Sequence, residues 1–128
     1  MIFNAQRTTW GNVGGDLHFN QVDINIGGGF GGKIFTAPIS GIYKMTFSGA
    51  SAYSKITETA IYVIKNGSKL FFISDGNDAE NANRDNVSYT WMMTLVQGDE
   101  LKLYSVNYLR AYSAFPLTFT GQLIHIEN

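Results

Sequence analysis

No cysteine occurs in the 128 residues, so no disulfide can staple the fold and no thiolate can serve as nucleophile or metal ligand. Stability must then come from packing, from a metal or from oligomerisation. The chain is long enough to bury a real core without staples. The missing thiols leave the compartment open, because a well-packed secreted domain does not need disulfides. Charge is also scarce. Asp, Glu, Lys and Arg make up 15% of the chain, against about a quarter in ordinary domains. The formal net charge of −1 excludes a broadly basic surface, so no nucleic-acid partner is expected. No apolar run approaches about eighteen residues, so no membrane insertion is expected. The N-terminus lacks a basic segment followed by an apolar one. Met1 directly before strand-like residues therefore reads as a cut domain or a mature form. A Gly-x-y repeat is absent, and so is any segment of helical period.

Aromatic residues are abundant by contrast, at 14%, with nine Phe and seven Tyr, and there are fourteen Gly. Few charges, many rings and many glycines suit a β-sandwich that hides part of its surface against copies of itself. The spacing predicts short strands about ten residues apart in a single domain spanning residues 1–128. Strands are expected over residues 3–7, 17–26, 34–37, 42–51, 59–65, 70–74, 87–95, 101–106 and 117–126. Loops are expected at 8–15, at 75–86 and at 107–116. Asn66-Gly67 fits the type I′ hairpin turn. Pro38 cannot donate inside a ladder and marks a break between strands. Val87, Tyr89, Trp91, Met93 and Leu95 alternate with Ser88, Thr90 and Thr94, which puts Trp91 in the core. Tyr62, Met92 and Tyr104 fall on the opposite phase from their apolar neighbours. An isolated domain would expose them, and an interface between subunits would cover them.

Four spacings carry a family resemblance. Phe19, five residues, Asn25, four residues, Phe30 is the first. Phe35, five residues, Gly41-x-Tyr43-x-Met45-x-Phe47 is the second. Leu95-x-x-Gly98-Asp99-x-Leu101-x-Leu103 and Phe119-Thr120-Gly121-Gln122-Leu123 follow in order. Together they resemble the globular head of complement C1q over nearly the whole chain. The departures are a trimmed loop between Phe30 and Phe35, and Met45 where the family usually has Phe, a swap that an adaptable side chain tolerates in a core. The resemblance implies an all-β, ten-stranded jelly-roll β-sandwich like that of tumour necrosis factor, assembled as a homotrimer. It also implies a secreted, extracellular binding module without catalytic activity. With no collagen stalk, the chain resembles a stalkless head of the invertebrate type, or a head excised from a longer protein.

The chemistry is sparse. His18 and His125 have no nucleophile motif near them, so no catalytic residue is assigned and no enzyme is expected. The glycine run 27–32 lacks the Lys-Ser/Thr and the helix of a phosphate loop. The segment 75–86 carries Asp75, Asp78, Glu80 and Asp85 with several Asn, hard oxygen donors that suit calcium. Some members of the resembled family bind calcium through two aspartates near the trimer apex, and Asp75 and Asp85 best match that pair. Three copies meeting at an axis would concentrate negative charge there, and a cation would relieve it. Tyr53, Tyr108 and Tyr112 lie in or near loops, where an apolar ring with a polar tip stacks on sugars. Arg110 adds a fork for carboxylate or phosphate. Tyr108, Arg110, Tyr112 and Tyr53 are therefore the candidate ligand-binding residues. Asn66-Gly67-Ser68 and Asn86-Val87-Ser88 are glycosylation triplets, the first of which the hairpin turn already explains.

The expected function is lectin-like pattern recognition in innate immunity, through binding of carbohydrate or microbial surface polymers. The alternative is a trimerising structural or signalling ligand that engages a protein receptor.

Overall fold

The structure is a computed structural model that describes residues 1–8, 11–51, 60–74, 86–111 and 116–127; side chains at 11–13, 50–51, 60, 74, 86 and 107–111 fall outside the description. Ten strands occupy these residues: β1 (Ile2–Arg7), β2 (Gly11–Asp16), β3 (Gln21–Ile26), β4 (Phe35–Thr36), β5 (Gly41–Ser51), β6 (Ala60–Lys65), β7 (Ser68–Ser74), β8 (Asn86–Leu95), β9 (Glu100–Ala111) and β10 (Leu117–Ile126). All pairings are antiparallel. The strands form two facing leaves. Leaf one runs β3-β1-β10-β5-β8. In leaf two, β2 and β4 both pair with β9, which is followed by β6 and β7. The far end of β5 pairs with β9 at Ala50↔Arg110 and Ser51↔Leu109, which joins the leaves at one corner. The chain changes leaf at every connection except the β6–β7 hairpin, the path of a jelly roll.

Alternation decides which side chains meet. Phe3 and Ala5, Tyr43, Met45 and Phe47, Leu101 and Leu103, and Leu117 and Phe119 all point between the leaves and are buried. Phe3 is the hub. Its ring stacks on Phe30 at 4.7 Å, and Phe35 and Phe119 each lie 5.2 Å away. Phe19 closes the cluster against Phe30 and Phe119.

The signature residues each have a structural task. Asn25 Nδ2 donates to the Phe30 carbonyl at 3.0 Å, which fastens the glycine run so that Phe19 and Phe30 meet. The buried Tyr43 hydroxyl donates to the Ile39 carbonyl, and burial pushes the phenol pKa up. A Cβ on Gly41 would lie 2.2 Å from the His125 carbonyl oxygen, so only glycine lets β5 start beside β10. Asn66 and Gly67 both have positive φ, as the type I′ turn between β6 and β7 requires.

Three expectations are corrected. Residues 11–15, expected in a loop, form β2 together with Asp16, because their backbone pairs with β9 and needs no apolar pattern of its own. Residues 17–26 are not one strand. Leu17 and Phe19 bury themselves ahead of β3, which begins at Gln21. Residues 107–111 are not loop: β9 continues through them, held by β2 on one part of its length and by β5 at the corner.

Candidate functional site

Of the sequence-derived ligand-binding residues, Tyr108 and Arg110 lie on β9, where Arg110 is opposite Asn12 of β2 and Ala50 of β5. Their side chains are outside the description. Tyr53 and Tyr112, and the two candidate calcium ligands Asp75 and Asp85, lie outside the described residues altogether. His18 and His125 are both exposed. Among the described residues no cluster of three or more His, Cys, Asp or Glu could hold a metal. The surfaces that the described side chains build are the two outer faces of the sandwich and one aromatic edge.

The outer face of leaf one is apolar at its margins and polar in its middle. Ile24, Asn4, Thr120, Thr46 and Thr90 form one cross-strand row, and Ile26, Ile2, Gln122, Lys44 and Met92 form the next. Thr46 and Thr90 share a hydrogen bond at 2.9 Å, and Ser48 and Thr118 share one at 2.6 Å. A groove of about 250 Å³ runs between Ile2, Asn4, Ile24, Lys44 and Gln122. Asn4 Oδ1 is buried with no partner among the described residues. Ile26 and Met92 each keep 66% of their surface in solvent.

The edge where β7 and β8 end their leaves is aromatic. Phe71 meets Trp91 at 5.5 Å and Tyr89 at 5.9 Å, and Tyr89 stacks on Trp91 at 6.0 Å. Tyr89 follows the inward phase of β8 yet stays 47% exposed, because the sandwich is open there.

The outer face of leaf two carries a second row. Tyr104 of β9 is opposite Tyr62 of β6, which is opposite Phe72 of β7. Lys69 holds its ammonium 4.3 Å from the Tyr62 ring centroid. On the other flank, Asp16 Oδ2 receives Lys33 at 3.1 Å and Lys102 at 3.3 Å. Burial pushes the Asp16 carboxyl up, but the two lysines outweigh it and hold the group below its ordinary range. Below the row, Ile34, Ile64, Glu100 and Lys102 line a dimple of about 150 Å³.

Beneath that face the turns are locked together. Asn66 Nδ2 donates to Asp99 Oδ1 at 3.0 Å, and the Glu100 N–H donates to Asn66 Oδ1 at 2.9 Å. The Val96 N–H donates to Asp99 Oδ2 at 2.8 Å, with Lys65 at 3.6 Å. The Asn66 amide is thus engaged at both ends.

Tyr62, Tyr104 and Met92 are exposed or half-buried, as their phase predicts, but they occupy opposite faces of the sandwich. Phe72 and Lys69 were not legible as members of one surface. Their meeting with Tyr62 depends on the β6–β7 register, which slips between Val63 and Ile64.

Comparison with known proteins comes to the same architecture. The family model described as the C1q domain matches residues 2–124. The globular domain of zebrafish complement 1qA superposes with a TM-score of 0.77 at 19% identity, over 98% of each chain. Murine APRIL superposes with a TM-score of 0.73 at 13% identity, over 95% of this chain and 98% of the other. The Eiger TNF of S. frugiperda gives 0.70 at 7% identity, over 100% of this chain and 95% of the other. These likenesses are likenesses of fold. No curated protein sequence matches the chain.

Proposed function

The chain belongs to the C1q domain family, and we propose that it is a secreted, homotrimeric recognition module that binds carbohydrate or microbial surface polymers rather than catalysing a reaction. The observation that carries the assembly is the outer face of leaf one. Ile2, Ile24, Ile26 and Met92 stand in solvent there, on the same face as a buried Asn4 oxygen with no partner among the described residues. Burying such a margin against a sister subunit gains roughly 25 cal/mol per Å² of apolar surface. A neighbour's donor would satisfy the asparagine oxygen.

Ring geometry selects the other half of the interface. In a closed ring of three, the two contact surfaces of each protomer have outward normals about 60° apart. The two faces of a sandwich point in opposite directions. They cannot both be used. An edge adjoining a face comes far nearer to that angle. The proposed contact therefore packs the aromatic β7–β8 edge of one protomer on the leaf-one face of the next. Tyr62 and Tyr104 then stay outside the interface, which revises the expectation drawn from their phase.

Three copies give avidity to sites that are weak one by one. Calcium belongs to the same proposal, held by Asp75 and Asp85 on the strength of their donor chemistry alone. The second reading, a ligand for a protein receptor, is favoured by the shared fold with APRIL and the Eiger TNF. A glycan array probed with and without a chelator separates the two. Binding to defined glycans supports recognition of carbohydrate, and loss of that binding on chelation supports the calcium. Silence on every glycan, with a tight protein partner recovered instead, supports the receptor ligand.

A further inference from the structure

We propose that the outer face of leaf two, with Tyr104, Tyr62 and Phe72 in one row alongside Lys69 and the Lys33–Lys102 pair, is a docking surface for an anionic glycan chain. This rests on the trimeric recognition reading above, since it takes the face that a ring of three leaves uncovered. It departs from that reading in placing the ligand on a sheet face and in relying on none of Tyr108, Arg110 and Tyr112.

The row is built by register. Three adjacent strands each contribute one ring at the same level, and the Tyr62 and Phe72 rings meet edge to face with centroids 5.9 Å apart and planes inclined by 66°. Phe72 is 57% exposed and Tyr104 39%. Rings held by a rigid sheet lose little entropy on binding, and their faces stack on the C–H faces of sugars while a tyrosine hydroxyl bonds sugar hydroxyls. The surface is a shallow face with a dimple rather than a deep cavity, which suits an extended chain lying across it.

Charge selects the kind of chain. At the β9 flank two ammoniums share the single Asp16 carboxylate, leaving one positive charge over. At the β7 flank Lys69 makes no ion pair among the described residues; its partner is the Tyr62 ring. Glu100 is the opposing charge, exposed at the turn end of the face. Lys69 and Lys102 sit level with each other on either side of Ile64, two strand spacings or about 10 Å apart, with the aromatic row alongside them on the same three strands. A polymer that alternates apolar ring faces with sulfate or carboxylate groups meets both features at once. A neutral glycan would use only the rings, and an acidic peptide only the lysines.

The test is binding of the assembled protein to immobilised heparin oligosaccharide, polygalacturonate, dextran and poly-glutamate. The two anionic glycans separate sulfate from carboxylate as the source of charge. The expected result is binding to at least one of them, weakened by salt, with dextran and poly-glutamate much weaker. Lys69→Gln and Lys102→Gln should each weaken it roughly two- to fivefold. Phe72→Thr, which suits a strand, should weaken it roughly fivefold. Glu127→Gln, an exposed charge beyond the end of β10, should change nothing. Circular dichroism melts confirm that each variant folds. Equal binding to dextran, poly-glutamate binding that Phe72→Thr leaves intact, or glycan binding untouched by all three leaf-two variants would overturn the proposal. If that last binding is instead lost in Arg110→Gln, carbohydrate recognition stands and only this surface falls. If no glycan binds at all, both fall together.

Discussion

Replacing Gly121 by alanine tests how the core supports the proposed contact face. Gly121 sits on β10 between Phe3 of β1 and Met45 of β5. A Cβ there would lie 2.3 Å from Phe3 Cε1, 2.7 Å from Phe3 Cζ and 2.8 Å from Met45 Sδ. Ordinary carbon contacts need about 3.5 Å or more, so the Phe3 ring must retreat by about 1 Å. It has little room. Phe30 stacks on it at 4.7 Å, nearly parallel, and Phe35 and Phe119 flank it. Overpacking of this kind costs about 1–3 kcal/mol. For a domain of this size that is a fall in Tm of roughly 4–12 °C. Because Phe3 lies between Ile2 and Asn4 on β1, the displaced ring also disturbs the leaf-one groove. Thermal melts followed by circular dichroism measure the loss. Phe3→Leu makes space for the new methyl, so the double variant should cost less than the two single changes added together, by about 1 kcal/mol. An unchanged Tm in Gly121→Ala, or strict additivity in the double variant, would refute the reasoning.

Three further outcomes are expected. The Asp99 carboxyl is held below its ordinary range by the Asn66 hydrogen bond, then by the Val96 N–H and Lys65. A depressed folded pKa means stabilisation that is complete above the unfolded value and is lost as pH falls through the folded one. Melting temperature should therefore drop with acid from about pH 4 downward, more shallowly in Asp99→Asn; identical acid limbs would contradict the lock. Met92→Glu and Ile24→Glu should yield monomers in sedimentation, because a charge would be buried at each contact, while Tyr62→Glu should leave the oligomer intact. The reverse pattern would move the interface to leaf two. Calorimetric titration with calcium should give a heat that Asp75→Asn and Asp85→Asn abolish; no heat in the parent protein removes the metal from the account.

Much of the fold could be read from the chain because its signature residues act locally. Asn25 reaches Phe30 five positions on, Tyr43 reaches back to Ile39, and Asn66-Gly67 sets its own turn. β5 and β10 announce themselves by alternation, and Trp91 and Phe119 are buried as their phase predicts. β2 was illegible for the opposite reason. Its Gly-rich residues 11–16 become a strand only because β9, some ninety residues later, offers a free edge. Arg110 and Tyr108 were read as loop because the pairing that extends β9 comes from two distant segments. The leaf-two row was half visible. Tyr62 and Tyr104 stood out of phase, but nothing in a linear sequence sets Phe72 and Lys69 beside them. Phase alone could not tell the two outer faces apart, so Met92 and the tyrosines were assigned to one interface that the sandwich divides.

The threefold assembly is tested most directly by multi-angle light scattering of the purified protein at micromolar concentration. The account predicts a particle of about three times the 14.2 kDa protomer. A stable, soluble monomer, its leaf-one isoleucines and Met92 left in water, would contradict it.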